Sequence, residues 1–137
     1  MNWFLKVLKQ YADFKGRARR KEYWMFVLIS TIISYLIMGI DYALNFVYTT
    51  DMGSSFYYMN SLYSLFVLIP SFAVLVRRLH DIGKSGWFFF IIFIPIIGII
   101  WLLVLLCKNG DEGENKYGVD PKNPVSELDQ IGFKETT

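Results

Sequence analysis

Three long uncharged runs constrain this chain more than any other feature. Residues 23–40 hold 18 residues without a charge, a second apolar stretch runs from Leu62 to Leu79 and is uncharged up to Val76, and 87–107 is 21 uncharged residues. At about 1.5 Å per helical residue, such runs approach or match a hydrocarbon core of roughly 30 Å. Hydrophobic residues make up 54% of the 137 and charged residues only 19%, against about 45–50% and about 25% in soluble domains. Because the excess sits in blocks, lipid explains it better than a larger core does. The length allows one domain.

Charge is distributed in a way that orients the blocks. Residues 1–22 carry seven Lys and Arg against Asp13 and Glu22, whereas 40–60 carry only Asp41 and Asp51. The segment 77–86 has Arg77, Arg78 and Lys84 against Asp81, and the tail from Lys108 has four lysines and seven acids. Basic clusters beside apolar runs are retained on the cytoplasmic side, so the N-terminus and the 77–86 turn are expected there. The run 48–61 lacks Lys and Arg, as an outer loop should. No small-residue cleavage site follows the first block, which reads as an uncleaved anchor. The single Cys107 excludes an internal disulfide. It reads as an apolar filler, with S-acylation the sharper alternative.

Ahead of the first block, Trp3, Phe4, Val7, Leu8, Tyr11 and Phe14 recur at helical spacing. This predicts an amphipathic helix over 3–14, lying in the interface rather than packed on the protein. Arg17, Arg19 and Arg20 follow and could attract anionic lipid head groups. No nucleic-acid recognition fold surrounds them. In the second block Pro70 predicts a kink, its freed carbonyl satisfied by neighbours and Ser71. Pro95 and Gly98 interrupt the third. They either kink a single crossing, the preferred reading, or break the block into a re-entrant pair.

Between the second and third blocks lies the turn Arg77-Arg78-Leu79-His80-Asp81-Ile82-Gly83-Lys84-Ser85-Gly86-Trp87. If the helix continues past Val76, both Arg77 and Arg78 could pair with Asp81 along it. Gly83 should end the helix and Ser85 cap the next. A lone His80 has no second metal ligand and no adjacent nucleophile, so zinc or triad chemistry is not expected. No cofactor or metal site is indicated. In the tail, Asn115 and Asp120 can form side-chain turns, the acids do not follow an EF-hand spacing, and 125–137 reads as disordered.

Four motif blocks stand out: Phe14-x-Gly16-Arg17-x-Arg19-Arg20-x-Glu22-Tyr23-Trp24; Arg77-Arg78-Leu79-His80-Asp81-x-Gly83-x-Ser85-Gly86-Trp87; Ile94-Pro95-x-x-Gly98; and Gly110-x-x-Gly113-x-Asn115-x-Tyr117-Gly118-x-Asp120-Pro121. Over roughly 1–124 the chain resembles the domain-of-unknown-function family numbered eight hundred and five, the YhaH-like bacterial inner-membrane proteins. That resemblance implies an inner-membrane location and no reaction.

The expectation is therefore an all-α membrane protein with one domain over 1–124. It has an interfacial helix at 3–14 and three transmembrane helices near 23–43, 60–79 and 87–107, the third kinked or re-entrant. Its function is read as interaction or scaffolding. Arg17, Arg19, Arg20, Arg77, Arg78, His80, Asp81 and Lys84 would engage anionic lipid, a membrane-protein partner or a second copy. A channel or transporter subunit is the alternative, favoured by Pro70, Pro95 and Gly98 and opposed by the lack of ionisable groups at mid-span. An enzyme ranks third.

Overall fold

The structure, a computed structural model, describes residues 2–118 and 120–121. The expected disordered tail at 125–137 lies outside them. The elements run α1 (Asn2–Lys9), α2 (Arg20–Ala43), β1 (Val47–Thr49), β2 (Ser55–Tyr57), α3 (Tyr58–Asp81), a 3-10 helix (Gly86–Phe93) and α4 (Ile97–Cys107). Helices α2 and α3, 24 residues each, are long and apolar enough to cross a membrane. They form the antiparallel pair on which everything else packs.

The connection between them is ordered by local chemistry. Helix α2 ends in a pair of nested turns, Phe46 N–H to Asp41 O and Asn45 N–H to Tyr42 O, with Asn45 in the left-handed region at φ 57. Asparagine tolerates that conformation. The expected loop at 48–61 is instead partly a small antiparallel hairpin, with Tyr48 opposite Phe56. The molecule is therefore mostly rather than wholly helical. Asp41 is fully buried, and its two carboxylate oxygens accept from Met59 N–H at 3.1 Å and Asn60 N–H at 2.9 Å. Asp41 thus caps the neighbouring helix, whose own preceding residue supplies no side-chain cap.

Helix α1 departs from expectation in length and in partner. It stops at Lys9, and its apolar face is buried against the α2–α3 pair. Val7 is fully buried with Ala18, Phe26, Val67 and Val74, and Phe4 stacks on Phe26 at 5.4 Å. The bundle provides a deeper apolar groove than the α1 sequence alone could reveal.

Pro70 explains one of these contacts. Proline lacks the N–H that would bond the carbonyl four residues earlier, which here belongs to Phe66. The Tyr11 hydroxyl donates to that carbonyl at 2.6 Å. Ser71, the expected donor, instead bonds Val67 O. Removing the hydroxyl with Tyr11→Phe should cost about 1–2 kcal/mol. In a Pro70→Ala background, where the backbone N–H is restored, the same change should cost almost nothing. Unfolding titrations of the four variants in detergent measure this coupling, and equal penalties in both backgrounds would refute the pairing.

The third apolar block is not the continuous crossing helix preferred from sequence. It forms the eight-residue 3-10 helix and the eleven-residue α4, broken at 94–96. At about 2.0 and 1.5 Å per residue each arm is only about 16 Å long. Both ends return to the C-terminal end of α3. Gly86 lies against Val76, and Arg78 donates from Nε to Leu106 O at 3.2 Å and from Nη2 to Lys108 O. Leu102, Leu105 and Leu106 of α4 form a core with Leu75, Leu79 and Ile82. Pro95 and Gly98 thus mark a reversal rather than a kink.

Candidate functional site: a buried arginine–carboxylate network

At the shared end of α2, α3 and α4 the chain buries a cluster of charges. Arg17, Arg77 and Arg78 are at most 8% exposed, while Glu22 and Asp81 are fully buried. Asp81 is the hub. Its Oδ1 accepts from Arg17 Nε at 3.0 Å and its Oδ2 from Arg78 Nη1 at 2.6 Å. Of the two arginines that could pair with Asp81 along α3, Arg78 does so. Arg77 turns away, donating to the Gln10 amide oxygen and, at 3.5 Å, to Glu22. Its Nη2 is buried without a hydrogen-bond partner among the described residues. Glu22 also takes the half-exposed Lys6 ammonium at 3.1 Å.

Backbone carbonyls complete the guanidinium forks. Arg17 donates to Gly113 O and Asp111 O of the tail, and Asp111 N–H donates to Asp81 O at 2.7 Å. The approach is tight. A Cβ on Gly110 would sit 2.0 Å from Asp81 Oδ2, so the tail can lie on this carboxylate only where a side chain is missing. Charge-assisted bonds of this kind are stronger than neutral ones. Losing a partner leaves an unpaired buried charge, so the network fixes how the N-terminal segment, α3 and the tail meet.

His80 occupies the rim. Its Nδ1 lies 3.1 Å from Gly16 O, and because a carbonyl only accepts, Nδ1 carries the proton. The ring stacks on Tyr117 at 3.9 Å with planes 2° apart, and Asn115 Nδ2 donates to His80 O. Gly83 N–H bonds His80 O and Lys84 N–H bonds Leu79 O, ending α3 as its glycine predicted. Ser85 accepts weakly from Trp87 N–H at 3.4 Å.

Eight residues were singled out from sequence. The structure gathers Arg17, Arg77, Arg78 and Asp81 inside the network and His80 beside it. Arg19 donates to Pro121 O and Arg20 to Cys107 O, with the Arg20 side chain exposed. Lys84 sits 5.3 Å from the Phe88 ring. Gln10, Glu22, Asn115 and Tyr117 were missed as site residues. Glu22 had a visible signal, being the only acid in a run of five cations entering an apolar block. Among the described residues no group of three or more His, Cys, Asp or Glu could hold a metal ion.

A polar staple beneath apolar helices fits the class of small membrane proteins, and comparison with known proteins finds inner-membrane relatives. The family model described as "Protein of unknown function (DUF805)" matches residues 11–119, and the chain belongs to this family. Inner membrane protein YhaI of Escherichia coli K12 is 45% identical over 122 residues, 89% of this chain and 97% of the relative. Inner membrane protein YhaH of the same strain is 42% identical over 122 residues, covering 89% and 98%. The uncharacterized protein YiiR is more distant, at 28% over 139 residues, 81% of this chain and 87% of the relative. No solved structure matches.

Proposed function

We propose that the protein is a membrane-embedded interaction protein of the bacterial inner membrane. In this reading α2 and α3 cross the bilayer and the 87–107 hairpin enters and returns on one side. The N-terminus, the arginine network and the tail then share the cytoplasmic face. The observation that carries this is the docking of tail carbonyls onto Arg17 and Arg78, which joins the tail to the most basic part of the chain. Because Arg17, Arg77, Arg78 and Asp81 are engaged internally, attraction to anionic lipid falls to the outward cations Arg20, Lys21 and Lys84.

Neutralising surface cations should weaken that attraction by about 1 kcal/mol per charge. Arg20→Gln with Lys21→Gln should lower the ratio of phosphatidylglycerol to phosphatidylethanolamine in lipid co-purified with the protein by several-fold, without unfolding it. An unchanged ratio would sink the reading that these surface cations attract the lipid. A second reading, an oligomeric channel or transporter subunit, is favoured by one observation. A groove of about 490 Å³ between α2 and α3 is lined by Ser30, Ser34, Asn60, Tyr63 and Ser71 among others. Solute flux in liposomes would support it.

A further inference from the structure

A cavity of about 530 Å³ lies where α3 meets the 3-10 helix, lined by Phe72, Val76, His80, Ser85, Gly86, Trp87, Phe89 and Phe90. Its two ends differ in chemistry. Phe72, Val76, Phe89 and Phe90 form an apolar wall. At the other end is the His80 ring. Its Nδ1 is committed to Gly16 O and one face is covered by Tyr117, which leaves Nε2 without a partner among the described residues. The Ser85 hydroxyl keeps its own hydrogen to donate, since it only accepts from Trp87 N–H. The indole N–H of Trp87, a residue 76% exposed, and the Lys84 ammonium stand on the same turn. Lys116, 5.0 Å from the Tyr117 ring, adds a second cation behind His80. The acids nearby are largely engaged. Asp81 is held by two arginines, and Asp111 accepts from Asn115.

We infer that this cleft is a specific site for one anionic phospholipid, its phosphate accepting from the Ser85 hydroxyl and the Trp87 indole beside Lys84, a head-group hydroxyl donating to His80 Nε2, and an acyl chain along Phe72, Val76 and Phe90. A ligand with one polar end and an apolar body suits a pocket of this size, whose few polar groups fix orientation. Lys84 does not line the cleft, but it adjoins Ser85 of its lining, and a cation at the membrane interface favours an anionic head group. The inference rests on the topology proposed above, which places the 77–87 turn at the cytoplasmic interface. It goes beyond surface attraction by naming a cleft that Arg20 and Lys21 do not line.

Trp87 is a built-in probe. With Trp3, Trp24 and Trp101 changed to Phe, its fluorescence should be quenched by phosphatidylglycerol brominated on its acyl chains. Quenching should be at least about fivefold more effective than by brominated phosphatidylethanolamine at the same mole fraction in vesicles, a preference of about 1 kcal/mol. His80→Phe should abolish the preference. So should Val76→Phe, which fills the cavity from its apolar wall. Arg20→Gln with Lys21→Gln should leave it intact. Equal quenching by the two lipids in the parent chain overturns the inference. So does a preference that survives both cleft variants. A preference that vanishes only with Arg20 and Lys21 also overturns it, while leaving the surface-attraction reading standing.

Discussion

Replacing Asp81 with alanine should cost roughly 3–5 kcal/mol, the range for breaking a buried charge network by removing one partner. Two guanidinium groups, those of Arg17 and Arg78, end on this carboxylate at 3.0 and 2.6 Å. Neither is open to water. Without Asp81 both keep only carbonyl partners, and the tail loses the surface on which Gly110 rests. Domains are stable by only about 5–15 kcal/mol, so the variant should be recovered in low yield and unfold in detergent at much lower denaturant. Lys21→Gln is the control. Its side chain is exposed, and charges at the surface contribute below about 1 kcal/mol. Comparable losses in the two variants would show that the network does not hold the fold.

The second large effect concerns the hairpin at 87–107. A reporter fused to the C-terminus should read cytoplasmic, on the same side as the N-terminus, and a periplasmic signal in the parent chain would sink the re-entrant topology. Gly98→Val should disturb that result. A Cβ at Gly98 would lie 1.7 Å from Ile91 O and 3.1 Å from Ile94 Cβ. The closest atom is backbone, so relief requires opening the hairpin. Overpacking of this kind costs roughly 1–3 kcal/mol, occasionally more. The tip is already strained. Ile96, β-branched, sits at φ 65 and ψ −65, and Ile97 N–H bonds Pro95 O at 2.7 Å. This is the rare form of γ-turn. Straightened, the 21 residues would make a helix of about 31 Å, enough to cross. The variant should therefore place a measurable share of C-termini on the periplasmic side, or be degraded. Unchanged topology together with unchanged stability would argue against close packing at Gly98.

Much of the candidate site was legible in the residues themselves. Arg77 to Trp87 announced a polar turn between apolar segments, Gly83 and Ser85 marked its punctuation, and Asp81 was paired with both Arg77 and Arg78 from helical spacing. Glu22 and the tail residues were not assigned there, because their partners are far away in sequence. The same limit applied to α1. Its amphipathic face was plain, but an apolar stripe fits a lipid interface and a protein groove equally well. Only the presence of Phe26, Val67 and Val74 around Val7 distinguishes them.

Length and the absence of charge are local properties, so the chain's own residues determined that the apolar blocks need a nonaqueous setting and that the basic segments flank them. Whether the third block runs straight or folds back is a different kind of question. Both forms satisfy the same hydropathy. The choice turns on bonds between Arg17, Arg78 and Asp81 and the carbonyls and amide that follow α4, and those groups meet only once the helices have packed. Tertiary structure alone decided it, because a buried guanidinium needs acceptors and the returning hairpin delivers them.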